Sequence, residues 1–156
     1  MNSKSKALTT FLMTLTEYIY MNDSPKGYKK FEVWQRGMDL AEEIYRLTKL
    51  FPREEKYGLV SQMRRAADSV PSNIAEGYAK YTPDELRHGA RIAFGSACEL
   101  ETQLILSKRL QFAPIAAYIN TEKLLDQVLR LCNGLASQRH PSKIRSPGPQ
   151  SLVSIL

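Results

Sequence analysis

A proline set in the middle of an otherwise helical segment constrains this chain more than any other feature. From Tyr57 to Lys80 the sequence runs YGLVSQMRRAADSVPSNIAEGYAK, and a helical reading puts Leu59, Met63, Ala66 and Ala67 on one side with Arg64 and Arg65 beside them. Pro71 has no amide hydrogen to donate and disfavours the α region at Val70, so the helix is expected to bend or restart there. Ser72 or Asn73 would then cap a second piece running through Ile74, Ala75 and Tyr78.

Three more helical patterns surround this one. The first spans about Val33 to Leu50, with Val33, Trp34, Met38, Ala41, Ile44, Tyr45 and Thr48 at three- and four-residue spacing, and Phe51-Pro52 ends it. Gly37 is a mild defect in it, costing roughly 1 kcal/mol relative to Ala unless a neighbour packs there. The third opens on a strong start signal, with Thr82 as N-cap, Pro83 at the first helical position and Glu85 placed to close a capping box. Leu86, Ala90, Ala93, Ala97, Leu100, Leu104 and Ser107 then form a seam of mixed small and large side chains, and Ala113-Pro114 is the expected stop. The fourth runs from about Thr121 to Ala136, with Leu124, Val128, Leu131 and Leu135 on one stripe, Leu125 and Cys132 beside it, and Gly134 near its end. No segment alternates with period two and the connections are short. The expected fold is all-α, an antiparallel up-down four-helix bundle with a proline-kinked second helix.

The length of 156 residues suits one domain. Net charge divides the chain further. Residues 1–30 carry five Lys against Glu17 and Asp23, residues 31–136 carry 14 basic and 14 acidic side chains, and residues 137–156 carry Arg139, Lys143 and Arg145 with no acid. The overall +6 therefore belongs to the two ends and not to the central domain, which weakens any inference from basicity to a nucleic-acid-binding core. Residues 1–27 read as an N-terminal extension, either a short amphipathic helix or the product of an upstream start, since Met21 stands just before the domain. Residues 28–136 read as the bundle and residues 137–156 as a basic, Pro/Ser-rich disordered tail. The apolar run Ala7 to Leu15 is broken by Thr9, Thr10 and Thr14 and falls short of the roughly 20 residues of a membrane span. No membrane association and a cytoplasmic location are expected. Cys98 and Cys132 fall in apolar helical patterns and read as two buried free thiols.

The string RRAADSVPSNIAEG is accompanied by Phe31-Glu32-Val33-Trp34-Gln35 at the domain's opening and Leu47-Thr48-Lys49-Leu50-Phe51-Pro52 at the first helix end. Ile92-Ala93-Phe94-Gly95-Ser96, with Glu99, Leu100 and Glu101, follows in the third helix. Together these closely resemble the signature of the small four-helix-bundle proteins encoded in intervening sequences of bacterial 23S ribosomal RNA genes, over about residues 28–136. The accessory variability protein of diversity-generating retroelements is similar to the same group. The resemblance implies a homo-oligomer, a pentamer, that uses exposed apolar helix faces as interfaces, with Trp34, Tyr45 and Phe94 as candidate anchors that could equally be core. It also implies structured RNA as a partner. The alternative it carries is an accessory subunit that binds a reverse transcriptase and its template RNA. A reverse-transcriptase gene beside this one would favour that alternative, and the neutral charge of residues 31–136 departs from the basic character expected of it.

Catalysis finds little support. His88 and His140 are the only histidines, and no Gly-rich phosphate loop, nucleophile elbow or paired CxxC is present. Glu85-Leu86-Arg87-His88 has the Glu-x-x-His spacing of di-iron bundles, but such a site needs two copies plus a Glu from each remaining helix. No catalytic residue, metal or cofactor is therefore expected. Glu76, Glu99 and Glu101 could serve as paired carboxylates, yet pairing with Arg64 and Arg65 in a structural ion-pair network is the stronger expectation. The remaining signal is basic. Arg64, Arg65, Lys80, Arg87, Arg91, Lys108 and Arg109 could contact phosphates if the bundle gathers them on one face. If it does not, they are solvated surface charges with i,i+4 partners.

Overall fold

The protein's structure, a computed structural model, describes residues 27–138, so the expected N-terminal extension and basic tail lie outside the described residues. A 3-10 turn over Gly27–Lys30 leads into α1 (Glu32–Leu47), and further 3-10 turns over Thr48–Leu50 and Arg53–Tyr57 form the elbow to α2 (Leu59–Ala79). A tight turn joins α2 to α3 (Pro83–Arg109), and a 3-10 turn over Ile115–Tyr118 precedes α4 (Ile119–Ala136). The helices pack in a ring, α1 on α2, α2 on α3, α3 on α4 and α4 on α1, with no strand among the described residues. This is the up-down four-helix bundle expected from the short connections.

Of the bend or restart expected at Pro71, the restart does not occur. The second helix is one α-helix from Leu59 to Ala79, with Pro71 buried inside it. Ser72 and Asn73 do not act as N-caps. Instead Ser72 Oγ donates to Asp68 O at 2.7 Å and Asn73 Nδ2 to Ser69 O at 2.7 Å, so side-chain donors serve the carbonyls around the turn that proline disturbs. Helix α1 makes room for the ring. A Cβ at Gly37 would come within 3.2 Å of Val70 Cγ1 and 3.4 Å of Pro71 Cδ, so the glycine is where the neighbour packs.

The seam of α1 is turned by one position from its expected phase. Gly37, Leu40 and Leu47 join Val33, Ala41 and Ile44 in the core, while Met38 and Tyr45 are exposed. In α3 every residue of the expected seam is buried, from Leu86 to Ser107. Thr82 caps it as expected, its Oγ1 accepting from Glu85 N at 3.2 Å, but the Glu85 carboxylate turns to Lys80 instead of closing the box. This helix ends earlier than Ala113-Pro114 requires. Gln111 takes φ 57°, with Gln111 N donating to Lys108 O and Phe112 N to Ser107 O, the paired bonds of a Schellman stop. The α4 core stripe is Thr121, Leu125, Val128 and Cys132, leaving Leu124, Leu131 and Leu135 at its half-buried edge.

Aromatic rings close both ends of the barrel of helices. Tyr28, Phe31, Trp34 and Tyr78 meet edge to face at one end, and Phe51 and Phe112 meet 5.5 Å apart at the other.

Candidate nucleic-acid interface

The seven candidate phosphate contacts fall into two groups of three, with Arg64 apart, once the helices are packed. Lys80 bridges Glu76 at 3.1 Å and Glu85 at 3.4 Å, and its pKa is raised, first by the hydrogen bond to Glu76. Arg87 is buried and tied to Asp84 three residues before it. Lys108 reaches Glu122 on α4 at 2.5 Å and lies 5.8 Å over the Tyr118 ring. These three cations are already neutralised.

Arg65, Arg91 and Arg109 are exposed, and none has an ion-pair partner among the described residues. They are not gathered. Ser69 and Ser96 hydrogen-bond across α2 and α3 at 2.9 Å, which sets the register of the hairpin. In that register Arg91, Arg65 and Arg109 are spread along the hairpin at intervals of about 13 Å.

Arg64 has a different setting. It is half-buried, its Nε donates to Thr48 Oγ1 at 3.0 Å, and its guanidinium lies 4.6 Å over the Tyr45 ring. Thr48 is itself buried, and its hydroxyl donates to Ile44 O at 2.7 Å. The Tyr45 hydroxyl donates to Asp68 Oδ2 at 2.9 Å, and that hydrogen bond, more than burial or the carboxylate's charge, raises the phenol pKa against the opposing pull of Arg64.

The structural ion-pair network expected among Arg64, Arg65, Glu76, Glu99 and Glu101 does not form. Because α2 continues through Pro71 without turning back, Glu76 sits twelve residues beyond Arg64, about 18 Å along the helix. Glu76 pairs with Lys80, Glu99 accepts from Gln103 Nε2 at 2.9 Å within its own helix, and Glu101 is exposed. The candidate interface anchors also separate. Trp34 and Phe94 are half-buried against the chain's own core, whereas Tyr45 is exposed but tethered to Asp68.

The remaining reactive groups have plain settings. Cys132 is fully buried, as expected, and Cys98 only half so. Burial pushes the Cys132 thiol up to about 12, with the neighbouring Cys98 adding to it, and burial followed by the Glu101 charge raises Cys98. His88 is exposed, and among the described residues no three His, Cys, Asp or Glu side chains are placed to hold a metal. No helix among them is long and apolar enough to cross a membrane.

Two features escaped the sequence. An open cleft of about 400 Å³ at the α1–α2 elbow has Arg53, Lys56 and Arg64 on its walls, and Arg53 and Lys56 belong to a turn whose mixed charges carry no periodic signal. Aliphatic side chains also stand exposed along the end of α3 and the link to α4. Ile105, Leu106, Leu110, Ile115 and Ile119 are between 47% and 65% accessible.

A ring of four amphipathic helices, with no strand among the described residues, defines an all-α helical-bundle protein. The chain belongs to the 23S rRNA-intervening sequence protein family, whose pattern it matches over residues 29–134. Among solved structures it is similar to a protein of unknown function from the S23 ribosomal protein family of Bacteroides thetaiotaomicron. The two are 20% identical with a TM-score of 0.62, over 68% of this chain and 99% of that one. That likeness shows the shared fold. No curated protein matches the chain.

Proposed function

We propose that this chain is a non-enzymatic bundle protein that assembles with copies of itself, as a pentamer, and holds RNA through cations left unpaired by its fold. The observation that carries the reading is the run of exposed aliphatics from Ile105 to Ile119. Side chains of this size gathered near one end of a small bundle mark a surface that another molecule covers. The resemblance to pentameric bundles supports a sister copy as that molecule. Arg65, Arg91 and Arg109, spaced along the α2–α3 hairpin, suit a long phosphate backbone better than a compact anion.

Native mass spectrometry of the full chain tests the assembly. A five-copy mass at micromolar concentration is expected, and a monomer under those conditions overturns the reading. RNA binding is tested by titrating a structured RNA at low and moderate salt. Affinity should fall steeply with salt and vary little with sequence, and absence of binding at both salts removes RNA as a partner.

A further inference from the structure

The elbow between α1 and α2 concentrates positive charge that the rest of the bundle disperses. Elsewhere Arg36, Arg46, Lys80, Arg87, Lys108 and Arg130 hold carboxylates, and Arg65, Arg91 and Arg109 are unpaired but spread along the hairpin. In the cleft, unpaired cations line one concavity. Arg53 has no ion-pair partner among the described residues, and Lys56 has only the face of the Tyr57 ring, 5.1 Å away. Arg64 spends its Nε on Thr48 and its face on Tyr45, which fixes the guanidinium plane while its terminal nitrogens take no protein acceptor.

No carboxylate lines the cleft. The turn does carry two acids, but Glu55 Oε2 accepts from Leu59 N at 3.0 Å and so serves the start of α2, and Glu54 is exposed outside the lining. Apart from Thr48, which holds Arg64, the remaining lining is apolar, supplied by Phe51, Pro52 and Val60. Three unneutralised cations around an apolar floor complement an anion that also has an uncharged, flat or aliphatic part. Arg64, held by a hydrogen bond and a ring, is the preorganised member, and Arg53 and Lys56 are solvent-side cations able to close on a bound oxyanion.

We propose that the Arg53–Lys56–Arg64 cleft is a binding site for a nucleotide phosphate, with the base or sugar against Phe51, Pro52 and Val60. The phosphate can come from a free mononucleotide or from a strand of RNA. The RNA arm rests on the RNA reading given above, and the mononucleotide arm is independent of it.

The test uses calorimetric titration of the full chain, at low salt, with uridine 5′-monophosphate, with uridine as the uncharged control, and with a short oligouridylate. The monophosphate and the oligomer are expected to bind and uridine is not. The double variant Arg53→Gln/Lys56→Gln alters two solvent-side groups and should keep the parent's helical circular dichroism. It should weaken monophosphate binding by about tenfold or more, as loss of charge-assisted contacts requires. Arg65→Gln/Arg91→Gln should leave monophosphate binding unchanged. If oligomer binding falls in the elbow variant as well, strand phosphates share the cleft, and if it does not, the cleft takes mononucleotides alone. Monophosphate binding equal in the elbow variant and the parent overturns the site, as does binding of the oligomer without the monophosphate when the elbow variant leaves it unchanged. Both of those results leave the RNA reading standing. Binding of neither ligand overturns the cleft site, and the titration of structured RNA given above decides the RNA reading separately.

Discussion

Gly77 of α2 and Gly89 of α3 meet backbone to backbone. A Cβ at Gly89 would lie 2.4 Å from Asn73 O, and one at Gly77 would lie 2.7 Å from Glu85 O and 3.2 Å from Gly89 Cα. The two helices touch there without side chains between them, and the obstructing atoms are main chain that cannot rotate away. The tight α2–α3 turn, with Tyr81 at φ 59° and Thr82 as the following N-cap, delivers the helices into that contact.

Gly89→Ala should therefore lower stability by about 2–4 kcal/mol in urea unfolding, as overpacking against fixed atoms does. Gly134→Ala is the matched control. Its Cβ would meet nothing within 4 Å, and the position is exposed in α4, so a gain of about 0.5–1 kcal/mol is expected.

Thr82→Ala removes the side-chain acceptor for Glu85 N and should cost about 1 kcal/mol in the same assay. Thr82→Ser should restore most of it. Equal stability of the alanine and serine variants would show that the cap contributes nothing.

Tyr45 gives a pH dependence with a definite sign. Its folded-state pKa lies above the ordinary value of 10.0 because the hydroxyl donates to Asp68. A raised folded pKa means that the folded state holds the proton more tightly, so the stabilisation is complete below about pH 10 and is lost as pH rises through the folded value. Lys80, raised by Glu76 and Glu85, loses its share in the same direction. Tyr45→Phe should flatten the alkaline fall of stability without abolishing it, and the Lys80→Met background should flatten it further. An unchanged alkaline slope in Tyr45→Phe refutes the assignment.

The two thiols should react at different rates with a maleimide or aromatic disulfide near pH 8. Cys98, half-buried with a raised pKa, should label slowly. Cys132, fully buried with its pKa near 12, should label only on unfolding. Mass spectrometry of the labelled peptides distinguishes them.

Leu106→Glu combined with Leu110→Glu places two charges one turn apart on the exposed end of α3. The proposed assembly should dissociate to folded monomers at micromolar concentration, with helical circular dichroism preserved. Retention of the parent mass by light scattering would move the interface elsewhere.

Much of the fold could be read from the chain because helix boundaries are local. Thr82-Pro83 start α3 through chemistry contained within a few residues, and the Leu86 to Ser107 seam repeats often enough for its phase to be unambiguous. In α1 the phase was less secure, since Trp34, Met38 and Tyr45 offer a second apolar track beside the true one. Gly37 decided between them, because it lies where Pro71 packs, and a glycine carries no hydropathy signal of its own. At Pro71 the sequence left a bend and a restart both open for a related reason. Propensity predicts a break, but a buried ring against Gly37, with Ser72 and Asn73 donating to nearby carbonyls, keeps the helix whole.

The candidate site was less legible still. Charges on a helix report which face is wet, and not which partner they find, so Lys80, Arg87 and Lys108 looked the same as Arg65, Arg91 and Arg109 until their carboxylates were in place. By itself the sequence determined four amphipathic helices, their order, most of their ends and the family to which they belong. Only the tertiary structure decided which cations remain uncompensated, that the elbow collects three of them around an apolar floor, and that α2 and α3 touch at Gly77 and Gly89. The physical reason is range. Helix formation is set by interactions within about four residues, whereas charge pairing and backbone contact between helices depend on rotation and register, which exist only once the core has packed.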